Sequence, residues 1–148
     1  MSVDSQWALQ QTVHEVLVAD AALQVWLGVP PRVYDHVPAD AVYPYLVIGE
    51  IAGRPFDSKT SQGMRLTLTL HVWDGADEAS GPTAPGHRGA GRLRQIMARL
   101  VSLLDRAALD VSGHQLVRLH FEGSETSGEG DGLLRHGTQR FHALVQSA

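Results

Sequence analysis

The chain has 148 residues, no cysteine, a hydrophobic fraction of 43% and a formal net charge of −4. That length suits one domain, 1–148, with enough buried surface for its own core. The missing cysteines exclude disulfides, thiolate metal sites and a cysteine nucleophile, and the mildly acidic balance argues against a free-standing nucleic-acid binder, which carries a basic footprint. No apolar run is long enough to span a membrane as a helix, and Met1–Ser5 lacks the basic start of a secretion signal. The expectation is a soluble protein made and used in the cytoplasm. Lys59 is the one lysine among 12 basic residues; the rest are arginines, whose planar fork suits fixed pairing at interfaces.

In chain order, Leu9, Val13, Val16 and Leu17 recur at helical spacing and predict a helix over 5–19, with Asp4 placed to accept an orphan N–H as its N-cap. Asp20 caps a second, short helix over 21–27. Gly28 supplies its stop, and Pro30-Pro31 prevents continuation. Prolines 38 and 44 keep 30–43 extended. The first strand is expected over 45–52, apolar on both faces: Leu46 and Ile48 on one, Tyr45, Val47 and Ile51 on the other. That pattern suits a central, covered strand.

The second strand, 64–73, alternates with period two: Leu66, Leu68, Leu70 and Val72 inward, Arg65, Thr67, Thr69, His71 and Trp73 outward. Gly75–Gly91 is rich in Gly, Ala and Pro and reads as a long functional or linking loop. A helix is expected over 89–108, where Leu93, Ile96, Met97, Leu100, Val101 and Leu104 share one face. Arg92, Arg94, Arg99 and Arg106 fall off that stripe. A third strand follows over 115–122, with Val117, Leu119 and Phe121 inward and Arg118, His120 and Glu122 outward. Gly123–Gly132 reads as a turn. The fourth strand, 133–145, points Phe141, Ala143 and Val145 inward and His136, Thr138, Arg140 and His142 outward.

The expected fold is therefore α+β: a mainly antiparallel four-stranded sheet with two main helices packed on one face. The other face gathers arginines, histidines and Trp73. It either faces water, as antiparallel sheets often do, or forms a contact surface; Trp73 among arginines favours contact.

Motifs for covalent chemistry are missing. Gly86–Leu93 has the glycine spacing of a phosphate loop, but Arg92 replaces its lysine and Leu93 its magnesium-binding hydroxyl. No His-Glu-x-x-His pair and no nucleophile elbow occurs. Glu122, Glu125, Glu129 and Asp131 do not follow the order of a calcium loop. His71, His120, His136 and His142 share the outer sheet face. They leave open a histidine-based metal protein or enzyme in the cytoplasm, against the plainer reading of solvated imidazoles; His14 and His114 read as surface residues. No catalytic residue, cofactor or metal is expected.

The order of several segments carries a resemblance: a helical start ending in Ala21-Ala22-Leu23, then Arg32-Val33-Tyr34-Asp35-His36-Val37-Pro38, then Tyr43-Pro44-Tyr45-Leu46-Val47-Ile48-Gly49-Glu50. Leu68–Trp73, the amphipathic helix and Asp131–Phe141 complete it. Over nearly its whole length the chain resembles the tail terminator, or tail completion, proteins of long-tailed phages and the matching tail component of gene transfer agents. The resemblance implies a small α/β layer without catalytic residues. It implies a homo-oligomeric, hexameric ring on the finished tail tube that stops polymerisation and offers the head-joining surface. Its expected partners are the tail tube protein, a head–tail connector or stopper, and DNA passing through the lumen without sequence recognition. The expected location is the tail–neck junction of a virion, assembled in the host cytoplasm; a head-side neck connector, stopper or adaptor is the alternative at the same place.

A ring needs a heterologous interface that closes. The residues expected to serve it are Arg54, Phe56, Asp57 and Lys59 in one loop, with Trp73, Arg118 and Arg140 on the polar sheet face. Phe56 is either an exposed aromatic anchor or a hairpin-tip side chain folded back on its own domain.

Overall fold

A computed structural model describes residues 4–57, 62–75, 90–129 and 134–147. Helices α1 (Ser5–Ala19) and α2 (Ala21–Leu27) form where the apolar spacing places them. The Asp4 carboxylate accepts from the Gln6 N–H at 3.0 Å, and that of Asp20 from Leu23 at 3.0 Å. Gly28 ends α2 at φ 90°, a conformation that a side chain would strain.

Five strands follow among the described residues, in the spatial order β1-β2-β3-β5-β4. They are β1 (Val33–Tyr34), β2 (Tyr45–Pro55), β3 (Gly63–Gly75), β4 (His114–Glu129) and β5 (Leu134–Ser147), with α3 (Ala90–Leu104) between β3 and β4. Among the described residues, the two main helices and the short one over 21–27 are as expected, and five strands replace the expected four. The extra strand, β1, is two residues long and pairs parallel to β2 through Val33↔Leu46 and Tyr34↔Val47. It lies in a proline-flanked stretch too short to show alternation. Every other pairing is antiparallel.

The core lies between the helices and one sheet face. It joins Leu9, Val13 and Leu17 of α1, Leu23 and Leu27 of α2, and Leu93, Ile96, Leu100 and Leu104 of α3 to Leu46, Ile48, Leu66, Leu68, Leu70 and Val72. Leu119, Phe121, Phe141, Ala143 and Val145 continue it across β4 and β5. Each fully buried aliphatic side chain contributes about 1.5–3 kcal/mol. Helix α3 lies flat on β5 at Gly137, where any side chain would collide with Met97.

Bulges account for three further departures. The β2–β3 register shifts between Ile48 and Ile51, which turns Ile51 to the core side, opposite Leu68, rather than onto the face of Tyr45 and Val47. In β4 the register shifts between Leu116 and Arg118. Val117, expected inside, is the additional residue and is 48% exposed, while Leu116 packs toward the core. A second shift between Phe121 and Gly123 lets β4 continue to Glu129, paired with β5 as far as Glu129↔Leu134, so 123–129 is strand and not turn. Asp131 and the rest of 130–133 lie outside the described residues.

Helix α3 stops at Leu104 instead of reaching 108. Arg106 adopts a positive φ of 62°, and its N–H donates to the Leu119 carbonyl at 2.7 Å. The Asp105 carboxylate accepts from the Phe121 N–H at 2.8 Å. Leaving the helix there saturates two backbone groups on β4's outer edge, a position that otherwise invites strand pairing.

One ion pair ties α2 to α3. Arg99 donates from Nε to Asp20 Oδ2 at 3.0 Å and from Nη2 to Asp20 Oδ1 at 2.6 Å. The Arg99 guanidinium holds the Asp20 carboxyl below the usual carboxylate range, with the Leu23 N–H adding to the effect against the opposing pull of burial. A depressed folded-state pKa stabilises the fold fully above the unfolded value of about 3.9, and that contribution is lost as pH falls through the folded value. Asp20→Asn keeps an N-cap and removes the charge. Its melting temperature is expected to fall at pH 7 and to converge on that of the parent chain as pH drops below about 4. A constant gap between the two melting curves across that window would refute the assignment.

Candidate functional site

The sheet face opposite the helices is built in rows, because residues paired across neighbouring strands stand side by side about 4.8 Å apart. At one end, Tyr45, Trp73 and His136 align. The Trp73 and His136 rings stack at 3.9 Å with 7° between planes, and His71 stacks on His136 at 5.1 Å. Tyr45 stacks on Tyr43 at 5.6 Å and meets Tyr34 at 5.9 Å. These side chains are half-buried and form an aromatic platform from β1 to β5.

His71 Nδ1 and His136 Nε2 are 2.9 Å apart, so one ring donates and the other accepts. Burial pushes the His71 pKa down, with Glu50 opposing and Arg140 reinforcing the shift. A neutral His71 fits the contact, since two imidazolium rings would oppose N–H to N–H.

Further along, Thr67, His142 and His120 form a row. His142 Nε2 lies 2.7 Å from Glu122 Oε2. At the far end stand Arg54, Arg65, Leu144 and Arg118, one from each of β2, β3, β5 and β4. All three arginines are exposed.

The residues expected to serve as contacts divide between these ends. Arg54 and Arg118 belong to the basic row. Phe56, 43% exposed, follows β2 directly and lies under the Arg65 guanidinium at 4.3 Å, so its ring is both held by its own domain and open to solvent. Its N–H donates to the Gly63 carbonyl at 2.7 Å, and Asp57 Oδ1 accepts from the Gly63 N–H at 3.4 Å. Lys59 lies outside the described residues. Trp73 sits at the aromatic end. Arg140 stands between the ends, 3.9 Å from Glu125.

Sequence reasoning passed over Tyr34, Tyr43 and Tyr45 as partners of Trp73. The signal was present, as three tyrosines within twelve positions, but only strand pairing shows that Tyr45 stands beside Trp73, with Tyr34 and Tyr43 against Tyr45. The histidines resolve into two pairs, His71–His136 and His120–His142. Among the described residues no three His, Asp or Glu side chains are grouped to hold a metal. His114, expected at the surface, is buried. Most of the glycine-rich Gly75–Gly91 stretch, including positions 86–89 of the phosphate-loop-like sequence, falls in 76–89, outside the described residues.

Both ends of that stretch are fixed by a buried ion pair. Asp74, at the end of β3, is fully buried, because the alternation of Leu66, Leu68, Leu70 and Val72 continues through it. Arg92, in the first turn of α3, donates from Nε to Asp74 Oδ2 at 2.8 Å and from Nη2 to Oδ1. The Gly75 N–H donates to the same carboxylate at 2.8 Å. Arg92, which occupies the lysine position of the phosphate-loop pattern, is thus committed to an internal acid.

The chain matches the family model described as tail completion protein gp17 over residues 11–146. It is 29% identical over 98 residues to tail completion protein gp17 of Bacillus phage SPP1. That alignment covers 66% of this chain and 64% of the relative, somewhat under two thirds of its length. Among solved structures, a chain in the virion of a native gene transfer agent particle superposes with a TM-score of 0.79 at 25% identity, over 99% of this chain and 100% of the other.

Proposed function

We propose, for a chain that belongs to the tail completion protein gp17 family, that six copies close a ring on the finished tail tube. The ring halts tube polymerisation and offers the surface to which the head joins. One observation carries this reading: the whole fold, and not an isolated motif, coincides with a chain that sits in an assembled gene transfer agent virion. A protein with that role works through shape and requires no covalent chemistry of its own. Its partners are copies of itself, the tube protein below and a connector or stopper above, at the tail–neck junction of a particle put together in the host cytoplasm.

The physical properties suit that role. DNA threads the ring without being read, and a net charge of −4 limits the phosphate neutralisation that would hold it in the lumen. The basic row with Phe56 and Asp57 and the aromatic platform around Trp73 supply two chemically different contact areas on one small domain. Arginine and aromatic side chains are the residue types that anchor interfaces. Particles assembled without this chain are expected to show overlong tails lacking heads in negative stain. Tails of normal length carrying heads would overturn the proposal.

A further inference from the structure

Two grooves at the two edges of the sheet have rims of opposite charge. Along β4, a groove of about 570 Å³ is lined by Arg106, Ala107, Val117, Arg118, His120 and Phe121. Val117 is pushed into solvent by its bulge, and Arg106 and Arg118 are exposed with no ion-pair partner among the described residues. The groove's one acid, Asp105, is engaged internally by the Phe121 N–H. At the opposite edge, between α1 and β1, a groove of about 310 Å³ is lined by Gln10, Gln11, His14, Glu15, Tyr34 and Asp35 over a floor of Val33 and Ile48. Glu15 and Asp35 are exposed there, and Asp35 is held by Gln10 Nε2 at 3.3 Å.

An apolar centre with a charged rim is the make-up of a protein contact. Here the two rims are complementary and lie at opposite ends of the sheet, β4 and β1, separated by β2, β3 and β5. Two surfaces so placed on one chain cannot satisfy each other within it. They can satisfy each other between copies, in a heterologous arrangement that closes into a ring when the rotation is right. We infer that the β4 groove of one copy, with Arg118 and Arg106 around Val117, seats on the α1–β1 groove of the next, with Glu15 and Asp35 around Tyr34.

The inference rests on the ring reading and assigns its side-to-side contact. The test uses two full-length forms. The first carries Arg106→Glu with Arg118→Glu and the second carries Glu15→Arg with Asp35→Arg. All four positions are exposed, and unchanged melting temperatures establish that both forms fold. Ring content is read by native mass spectrometry of the pure chains and by negative stain of rings on tail tubes. Each form alone is expected to lose at least tenfold in rings, because its two rims now repel.

A mixture of the two is expected to restore rings with alternating copies, since both contacts in the mixture pair opposite charges. Rings formed by either reversed form alone would overturn this contact and leave the ring reading standing, as would a mixture that fails to restore them. Intact rings that no longer attach to tubes would place the β4 groove against the tube protein and likewise overturn it. A parent chain that forms rings neither free nor on tubes would remove the ring reading itself.

Discussion

Leu100→Asp is expected to unfold the protein. Leu100 is fully buried near the middle of α3, on the same face as Leu93, Ile96 and Leu104, and that face packs against β3 and β5. A carboxylate there loses its hydration and gains no donor, a change worth several kcal/mol even after the group neutralises itself by taking up a proton. Leu100→Ala, which only opens a cavity, is expected to cost about 2–5 kcal/mol. A domain of this size has about 5–15 kcal/mol in all, so the charged variant consumes most of the margin and the truncated one does not. Urea denaturation of the two variants checks the ranking. An aspartate variant as stable as the parent would mean that α3 packs by another face.

Asp74→Ala is the second large effect. Removing the acid takes a bidentate carboxylate away from the Arg92 guanidinium, which is nearly buried. Breaking one side of a buried pair typically costs about 3–5 kcal/mol, whereas replacing both partners by apolar groups of similar volume is often close to neutral. In a chain of this length each kcal/mol lowers the melting temperature by about 2–4 °C. Asp74→Ala is therefore expected to melt at least about 6 °C early by calorimetry, and Asp74→Leu with Arg92→Met is expected to regain most of the loss. A shift within about 1 °C for the single variant would show that water already screens the pair.

The sequence was informative wherever a residue's environment follows from its own segment. The period of Leu66, Leu68, Leu70 and Val72 fixed the core face of β3. The acids Asp4 and Asp20 before apolar periodic runs located two helix starts. Where the answer depended on a partner strand, the same logic failed. Val117 and Ile51 each obey a perfect alternation that a bulge shifts by one residue, and a bulge is a property of a pair of strands. The 123–129 stretch looks like a turn by composition, yet pairing with β5 holds it extended. Asp74 was legible from phase, since it continues the inward series, but its partner lies 18 positions on and no local pattern connects them.

The contact surface was readable only as a roster. Arg54, Arg65 and Arg118 come from three separate strands, and only the sheet order reveals that they form a single row. The aromatic platform was the larger omission, because Tyr34 reaches it through a strand of two residues that sequence alone does not mark.

The Asp74–Arg92 clasp has a consequence for how this fold can vary. Since the last residues of β3 and the first turn of α3 are pinned to each other directly, an acid and a guanidinium 18 positions apart in the chain set how this helix sits on this strand. Exchanging both for an apolar pair of similar volume would hand that orienting task to shape alone.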